Sequence, residues 1–160
     1  WGTLVGVTDN GDAVAGMMSQ PFIGELFWCD GERSHYEGPH GSKQITTSKI
    51  ADVTAATLCT TTPAMFTDER KLAYDRLEGA VQLARYGTDC YAYAMLAAGN
   101  VDLVVETGLQ PYDIIALIPI IEQAGGVITT WDGGPAEQAG DIVAAATPEL
   151  HAAAITLLRG

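Results

Sequence analysis

Short-range alternation dominates the first third of the chain. Leu4, Val5 and Val7 lead into Thr8-Asp9-Asn10-Gly11, and Asn-Gly after an apolar run is a strong hairpin signal. Ala13 to Met18 reads as the return strand, Pro21 to Gly24 as a turn, Glu25 to Cys29 as another strand and Asp30-Gly31 as another turn. Residues 1–45 are expected to be antiparallel β. Glu37 to Lys43, EGPHGSK, holds two glycines and a proline and is expected to be a polar loop that could separate two structural units.

After about residue 55 strands and helices alternate. Thr57 to Thr61 is a short β-type run. Thr67 can cap a helix with Asp68 and Glu69 in its first turn, and the helix is expected to reach about Leu83. Leu72, Leu77, Ala80, Val81 and Ala84 fit one face of it imperfectly. Cys90 to Ala98 predicts a second helix, stopped by Gly99-Asn100. Val101 to Glu106 reads as a strand and Asp113 to Ala124 as an apolar helix stopped by Gly125-Gly126. Val127 to Thr130 and Ile142 to Ala145 follow as strands. Thr147 then caps a last helix to Leu158, with Pro148 at its first position. The expected class is α/β with an antiparallel β portion (α+β), divided at 1–45 and 46–160.

Composition narrows this little. The 160 residues suffice for one domain with a real core or for parts of two, and 48% apolar with 18% charged residues is the balance of an ordered globular chain. No apolar run approaches the roughly 20 residues of a membrane helix, and no signal peptide pattern is present, so no membrane partner is expected. Three widely spaced cysteines fit neither a disulfide framework nor a zinc motif, which favours a reducing, cytoplasmic setting. The net charge of −12 argues against nucleic acid and suits a solvating surface, a cationic ligand or a metal. Trp1 heads what reads as a strand interior, so the chain is expected to be a fragment lacking its N-terminal part.

The stretch from Val101 to Gly126 concentrates the chemistry. Glu106 ends an apolar run, and Asp113 stands seven residues later at a helix start. On spacing alone Asp113 is a capping acid and Glu106 a strand-end residue facing solvent. The loop with Gly108 and Pro111 can instead fold both toward one pocket, as a metal ligand and a hydrogen-bond acceptor. Arg85-Tyr86-Gly87-Thr88-Asp89-Cys90-Tyr91 is the second candidate segment. Gly87 lets backbone approach a ligand, and Thr88 or Asp89 can cap the next helix. Arg85 could be a buried ion-pair partner. His35 and His40 flank a loop without an obvious third metal ligand, and are read with His151 as having no special role. Cys90 reads as a small buried hydrophobe. GxSxG, Walker A, GxGxxG and CxxC are absent.

These residues resemble a known family. Tyr112-Asp113-Ile114-Ile115, an apolar helix and Gly125-Gly126 resemble the late aromatic-Asp-x-Ala motif of inositol monophosphatase-like, magnesium-dependent phosphatases. RYGTDCYAYAMLAAGNVDLVVETGLQPYD, with WGTLVGV, GMMSQPF, GGVITTWDGG and DIVAAATPELH, is most similar to the histidinol-phosphate phosphatase branch. The pattern departs from many members at Tyr112, where they carry Trp, and at Ile115, where they carry a small residue. The family's upstream helix Glu and its D-P-x-D-G-T segment do not occur.

The resemblance implies the C-terminal part of a layered αβαβα fold, with 1–45 ending an N-terminal α+β domain and 46–160 forming an α/β domain. It implies a homodimer and hydrolysis of a small phosphorylated amino alcohol with Mg2+. Asp113 would be a metal ligand, and Asp89, Glu106, Gly87 and Thr88 would hold the substrate. The water-activating residues would lie in the absent N-terminal part, so the chain alone is expected to be inactive. Inositol monophosphate or a 3′-phosphonucleotide is the alternative substrate. A non-catalytic binding or assembly module is the alternative of another class.

Overall fold

The computed structural model describes residues 2–160. Its first sheet is a five-stranded antiparallel meander, β1 (Thr3–Asp9), β2 (Asp12–Gln20), β3 (Glu25–Cys29), β4 (Ser34–Gly38) and β5 (Gly41–Ile45). Asn10 and Gly11 turn the first hairpin with φ of 52° and 101°, the left-handed pair that such a turn needs. Glu37 to Lys43 is not a separating loop. Gly38 pairs with Gly41, so only Pro39 and His40 lie outside the strands and the segment continues the sheet as a hairpin.

The second sheet has the order β7-β6-β8-β10-β9, from β6 (Thr57–Thr60), β7 (Leu83–Tyr86), β8 (Leu103–Leu109), β9 (Val127–Thr130) and β10 (Gly140–Ala145). β6 runs parallel to both β7 and β8, whereas β10 is antiparallel to β8 and to β9. The helices are α1 (Asp68–Glu78), α2 (Cys90–Ala97), α3 (Pro111–Ile114), α4 (Leu117–Gln123) and α5 (Pro148–Arg159). Thr147 accepts from Leu150 N–H and caps α5 as expected.

Two expected helices differ. α1 stops at Glu78, because Gly79 follows and Leu83–Tyr86 forms the edge strand β7 rather than a last helical turn. Thr67 precedes α1 without a side-chain cap bond. The helix expected over Asp113 to Ala124 starts at Pro111 and is interrupted around Ile115 and Ala116, which nevertheless keep helical φ and ψ. Pro119 has no N–H to give the Ile115 carbonyl, so that bond of a continuous helix cannot form.

Period-two burial sorts the layers. Cys59, Val104, Ile142 and Ala144 face a core shared with α2, α4 and the first sheet, through residues such as Met18 and Phe27. Leu58, Leu103, Val105, Val143 and Ala145 face the opposite core, under α1 and α5. The layers therefore run sheet, helices, sheet, helices. Helix α1, which links β6 to β7, and helix α2, which links β7 to β8, cover opposite faces of the second sheet. With β6 lying between β7 and β8, this is a topological switch point, where a crevice opens beyond the strands' carboxyl ends.

Candidate active site

Three parallel strands bring residues to that crevice. Thr61 follows β6, Gly87 to Asp89 follow β7, and Glu106 lies on β8. Gly87 N–H donates to the carbonyls of Thr60 and Thr61 at 3.1 and 2.9 Å, which ties the two strand ends together. Its φ of 87° is one that glycine adopts freely.

Glu106 is 2% exposed. Its Oε1 accepts from Thr61 N–H at 2.7 Å and from Thr61 Oγ1 at 3.0 Å, and Thr60 Oγ1 lies 3.4 Å from Oε2. Burial pushes its carboxyl up to about 7, against the opposing effect of the threonine hydrogen bonds and with a smaller upward push from Asp89. The reading of Glu106 as a strand-end residue facing solvent is therefore overturned.

Asp89 stands on the other side of the Thr61 hydroxyl, which is 2.9 Å from Asp89 Oδ1. One hydroxyl hydrogen cannot serve both carboxylates at once, so Thr61 is shared between them. Asp89 does not cap α2 with its side chain. Its backbone has φ 45° and ψ −134°, a conformation that side chains other than glycine's rarely adopt. Strain of this kind persists where the surroundings over-determine it, and here it sits beside a buried acid in a crevice.

Two buried hydroxyls have no hydrogen-bond partner among the described residues, Thr88 Oγ1 and Tyr93 Oη. Thr88 Oγ1 lies near the Cys59 thiol without hydrogen-bond geometry. Tyr93 is 3% exposed, and the Glu106 and Asp113 charges both act on its hydroxyl. Buried polar groups are nearly always paired, so these two hydroxyls are exceptions within the described core.

Asp113 lies on α3, where its Oδ2 accepts from Gln110 N–H at 2.8 Å, as a capping acid does. Helix α3 is fixed from across the molecule. Gly6 and Gly16 are register partners in β1 and β2, and the α3–α4 backbone packs on them. A Cβ on Gly16 would stand 1.8 Å from the Ala116 carbonyl oxygen. A carboxylate of this kind suits a hard cation. Among the described residues, however, no three His, Cys, Asp or Glu side chains cluster as a metal site. Asp113 could supply one ligand, and these residues by themselves do not complete a magnesium site.

The remaining candidates stay apart. His35 Nε2 is 2.8 Å from Asp30 Oδ2, and its ring stacks on Trp28 with centroids 4.5 Å apart. His40 sits at the β4–β5 tip. His151 is half-buried, with Nε2 2.8 Å from Thr129 Oγ1. Arg85 is exposed and donates to the Ala84 carbonyl, so it is no buried ion-pair partner. Cys90 is half-buried. Sequence reasoning missed Thr60, Thr61 and Tyr93. Thr60-Thr61-Thr62 at the end of a β run was the available signal, but only the β6–β8 pairing shows which acid those hydroxyls meet.

Comparison with known proteins agrees with this architecture. The chloroplastic bifunctional phosphatase IMPL2 of Arabidopsis thaliana is 42% identical over 83% of this chain and 38% of its own length. The histidinol-phosphatase of Chlorobaculum parvum is 29% identical over 83% of this chain and 51% of its own. The chain thus spans about half or less of the length of these two relatives. A solved inositol monophosphatase from Zymomonas mobilis matches with a TM-score of 0.92 and 31% identity, over 99% of this chain and 62% of that one. The model of the inositol monophosphatase family matches residues 1–160. With its layered sheets and switch-point crevice, the chain belongs to the inositol monophosphatase family of phosphatases.

Proposed function

We propose that this chain forms the substrate-recognising part of a magnesium-dependent phosphomonoester hydrolase whose substrate is histidinol phosphate. The observation that carries the reading is the Asp89–Thr61–Glu106 cluster, where the residues following β6 and β7 meet Glu106 on β8. Histidinol phosphate presents an ammonium and a titratable imidazole, for which two acids sharing one hydroxyl are suitable partners. The name of the Chlorobaculum relative supports this substrate, whereas that of the Zymomonas structure supports inositol monophosphate.

In this reading Glu106 and Asp89 hold the amino alcohol, while the Gly87-Thr88 backbone lies against it. Asp113 contributes one oxygen to a metal whose other ligands lie outside this chain. Magnesium bound there would polarise the phosphate and stabilise the leaving alkoxide. By itself the chain is expected to release little or no phosphate.

Histidinol, the product alcohol, tests the reading on the chain as it stands. Calorimetry should show saturable histidinol binding, weakened about tenfold or more by Asp89→Asn and by Glu106→Gln. Inositol should bind more weakly than histidinol. Tighter inositol binding would overturn the substrate assignment, and binding insensitive to both variants would overturn the site. Magnesium titration with Asp113→Asn as control separates a residual metal ligand from a non-catalytic module, for which no magnesium signal is expected.

A further inference from the structure

A cavity lies away from the crevice, between the inner face of the first sheet and α2. It has a volume of about 340 Å³ and is walled by Glu25, Phe27, Tyr36, Lys43, Tyr91 and Met95. The register builds it. Tyr36 pairs with Phe27 on one side and with Lys43 on the other, so one row of side chains crosses β3, β4 and β5 on a single face. Glu25 lies two residues before Phe27 and so shares that face. Tyr91 and Met95 close the cavity from one face of α2.

Glu25 is the centre of this cavity. Tyr36 Oη donates to its Oε1 at 2.9 Å, and Tyr91 Oη donates to its Oε2 at 2.6 Å. Burial and the Glu25 carboxylate raise both phenols above their ordinary range, so they remain donors. A carboxylate has about four acceptor positions and the tyrosines use two. No cationic side chain forms an ion pair with Glu25 among the described residues. Gly38 makes the Tyr36 geometry possible, since a Cβ there would stand 2.2 Å from the Tyr36 hydroxyl oxygen.

The rim carries the opposite charge. Lys43 is exposed, with Nζ 5.9 Å above the Tyr36 ring. Lys43 stands in the Phe27–Tyr36 row and Glu25 two residues along the same face, so the Tyr36 ring has the carboxylate at its hydroxyl end and the ammonium above its face. The cavity thus offers an acceptor and a cation of opposite charge to one ligand across an aromatic surface. We propose that this cavity is a binding site for a free α-amino acid with an apolar or aromatic side chain. Its ammonium meets Glu25 between the aromatic rings, and its carboxylate meets Lys43. The aromatic walls add cation–π attraction to the carboxylate's charge. The phosphatase reading plays no part in this assignment, because no residue of the crevice lines the cavity.

The test is calorimetry and two-dimensional NMR on the 160-residue chain with a panel of L-amino acids. The matching primary amines and the matching carboxylic acids serve as controls. At least one amino acid should bind saturably and shift the signals of Phe27 and Met95, and its amine and acid analogues should bind more weakly. Glu25→Gln should weaken binding about tenfold or more and Lys43→Met by a smaller factor, with Asp89→Asn without effect. Tyr91→Phe, which keeps the ring, should weaken binding severalfold and covers the case in which Glu25→Gln does not fold. Absence of saturable binding by every member of the panel would overturn the proposal. So would binding lost in Asp89→Asn but kept in both Glu25→Gln and Tyr91→Phe.

Discussion

Glu106 and Asp113 lie seven residues apart and are placed by different means. Glu106 is held by its own sheet, where the parallel neighbour β6 brings Thr60 and Thr61 to its carboxylate and burial does the rest. Asp113 makes only a local capping bond to Gln110, and its helix is held from the far sheet, where Gly6 and Gly16 leave room for the backbone at Ile115 and Ala116. One acid is positioned by strand register and the other by tight packing between layers. The first should therefore respond to protonation and to its hydroxyl neighbours, the second to any volume added at the glycine contact.

The largest effect is expected at that contact. Gly16→Ala would put a methyl group 1.8 Å from the Ala116 carbonyl oxygen, and both partners are backbone, so neither can turn aside. Urea unfolding should show a loss of about 3 kcal/mol or more, the upper range for overpacking. Gly108→Ala is the control. Gly108 has φ +70° with nothing within 4 Å of a built Cβ. Its alanine variant should lose only about 1 kcal/mol, the cost of a left-handed backbone. Equal losses in the two variants would remove the packing account of Asp113.

Local signals carried much of the fold. Asn10-Gly11 set the first hairpin and Thr147-Pro148 opened α5, because each acts through its own backbone. β7 was hidden. Leu83 to Tyr86 is a four-residue edge strand following a helix, and its alternation is too short to compete with the helical pattern before it. The Glu37 to Lys43 hairpin was hidden by Gly38, Pro39 and Gly41, which signal a turn without saying how short it is. At the site, Glu106, Asp113 and Asp89 were legible as acids in apolar or glycine-rich settings. Thr61 and Gly16 were not, because their importance depends on partners 45 and 100 residues away, Glu106 and Ala116.

Protonation of Glu106 gives the next effect. Its carboxyl is raised from 4.5 to about 7 in the folded chain, so between those values the folded state binds the proton more tightly than the unfolded state. Stability from this group therefore falls as pH rises through that window, by about 3 kcal/mol once both states are ionised. Gln at 106 keeps an acceptor for Thr61 N–H and offers an N–H toward Thr60, with no charge to bury. Unfolding free energies at pH 5 and pH 8 should show a fall in the parent that is largely absent in Glu106→Gln. Parallel pH dependences in the two proteins would mean that Glu106 is not held in the protonated form by burial.

Asp89 gives the smallest effect and addresses why the strand-held half of the site is strained. Its φ of 45° and ψ of −134° suit glycine, and the strain costs about 1–3 kcal/mol. Glycine at 89 would release that strain but lose the exposed hydrogen bond from Thr61 and gain unfolded-state freedom, leaving a net stabilisation of about 1 kcal/mol. Alanine would lose the same hydrogen bond and keep the strain. Thermal unfolding should therefore rank the Gly variant above the parent and the parent above Asp89→Ala. Histidinol binding should fall in both variants, since both lose the carboxylate. If Asp89→Gly proved no more stable than Asp89→Ala, the backbone at 89 would not be strained in solution. Asp89 would then carry its carboxylate at no cost in stability, held in the site by the Thr61 contact alone.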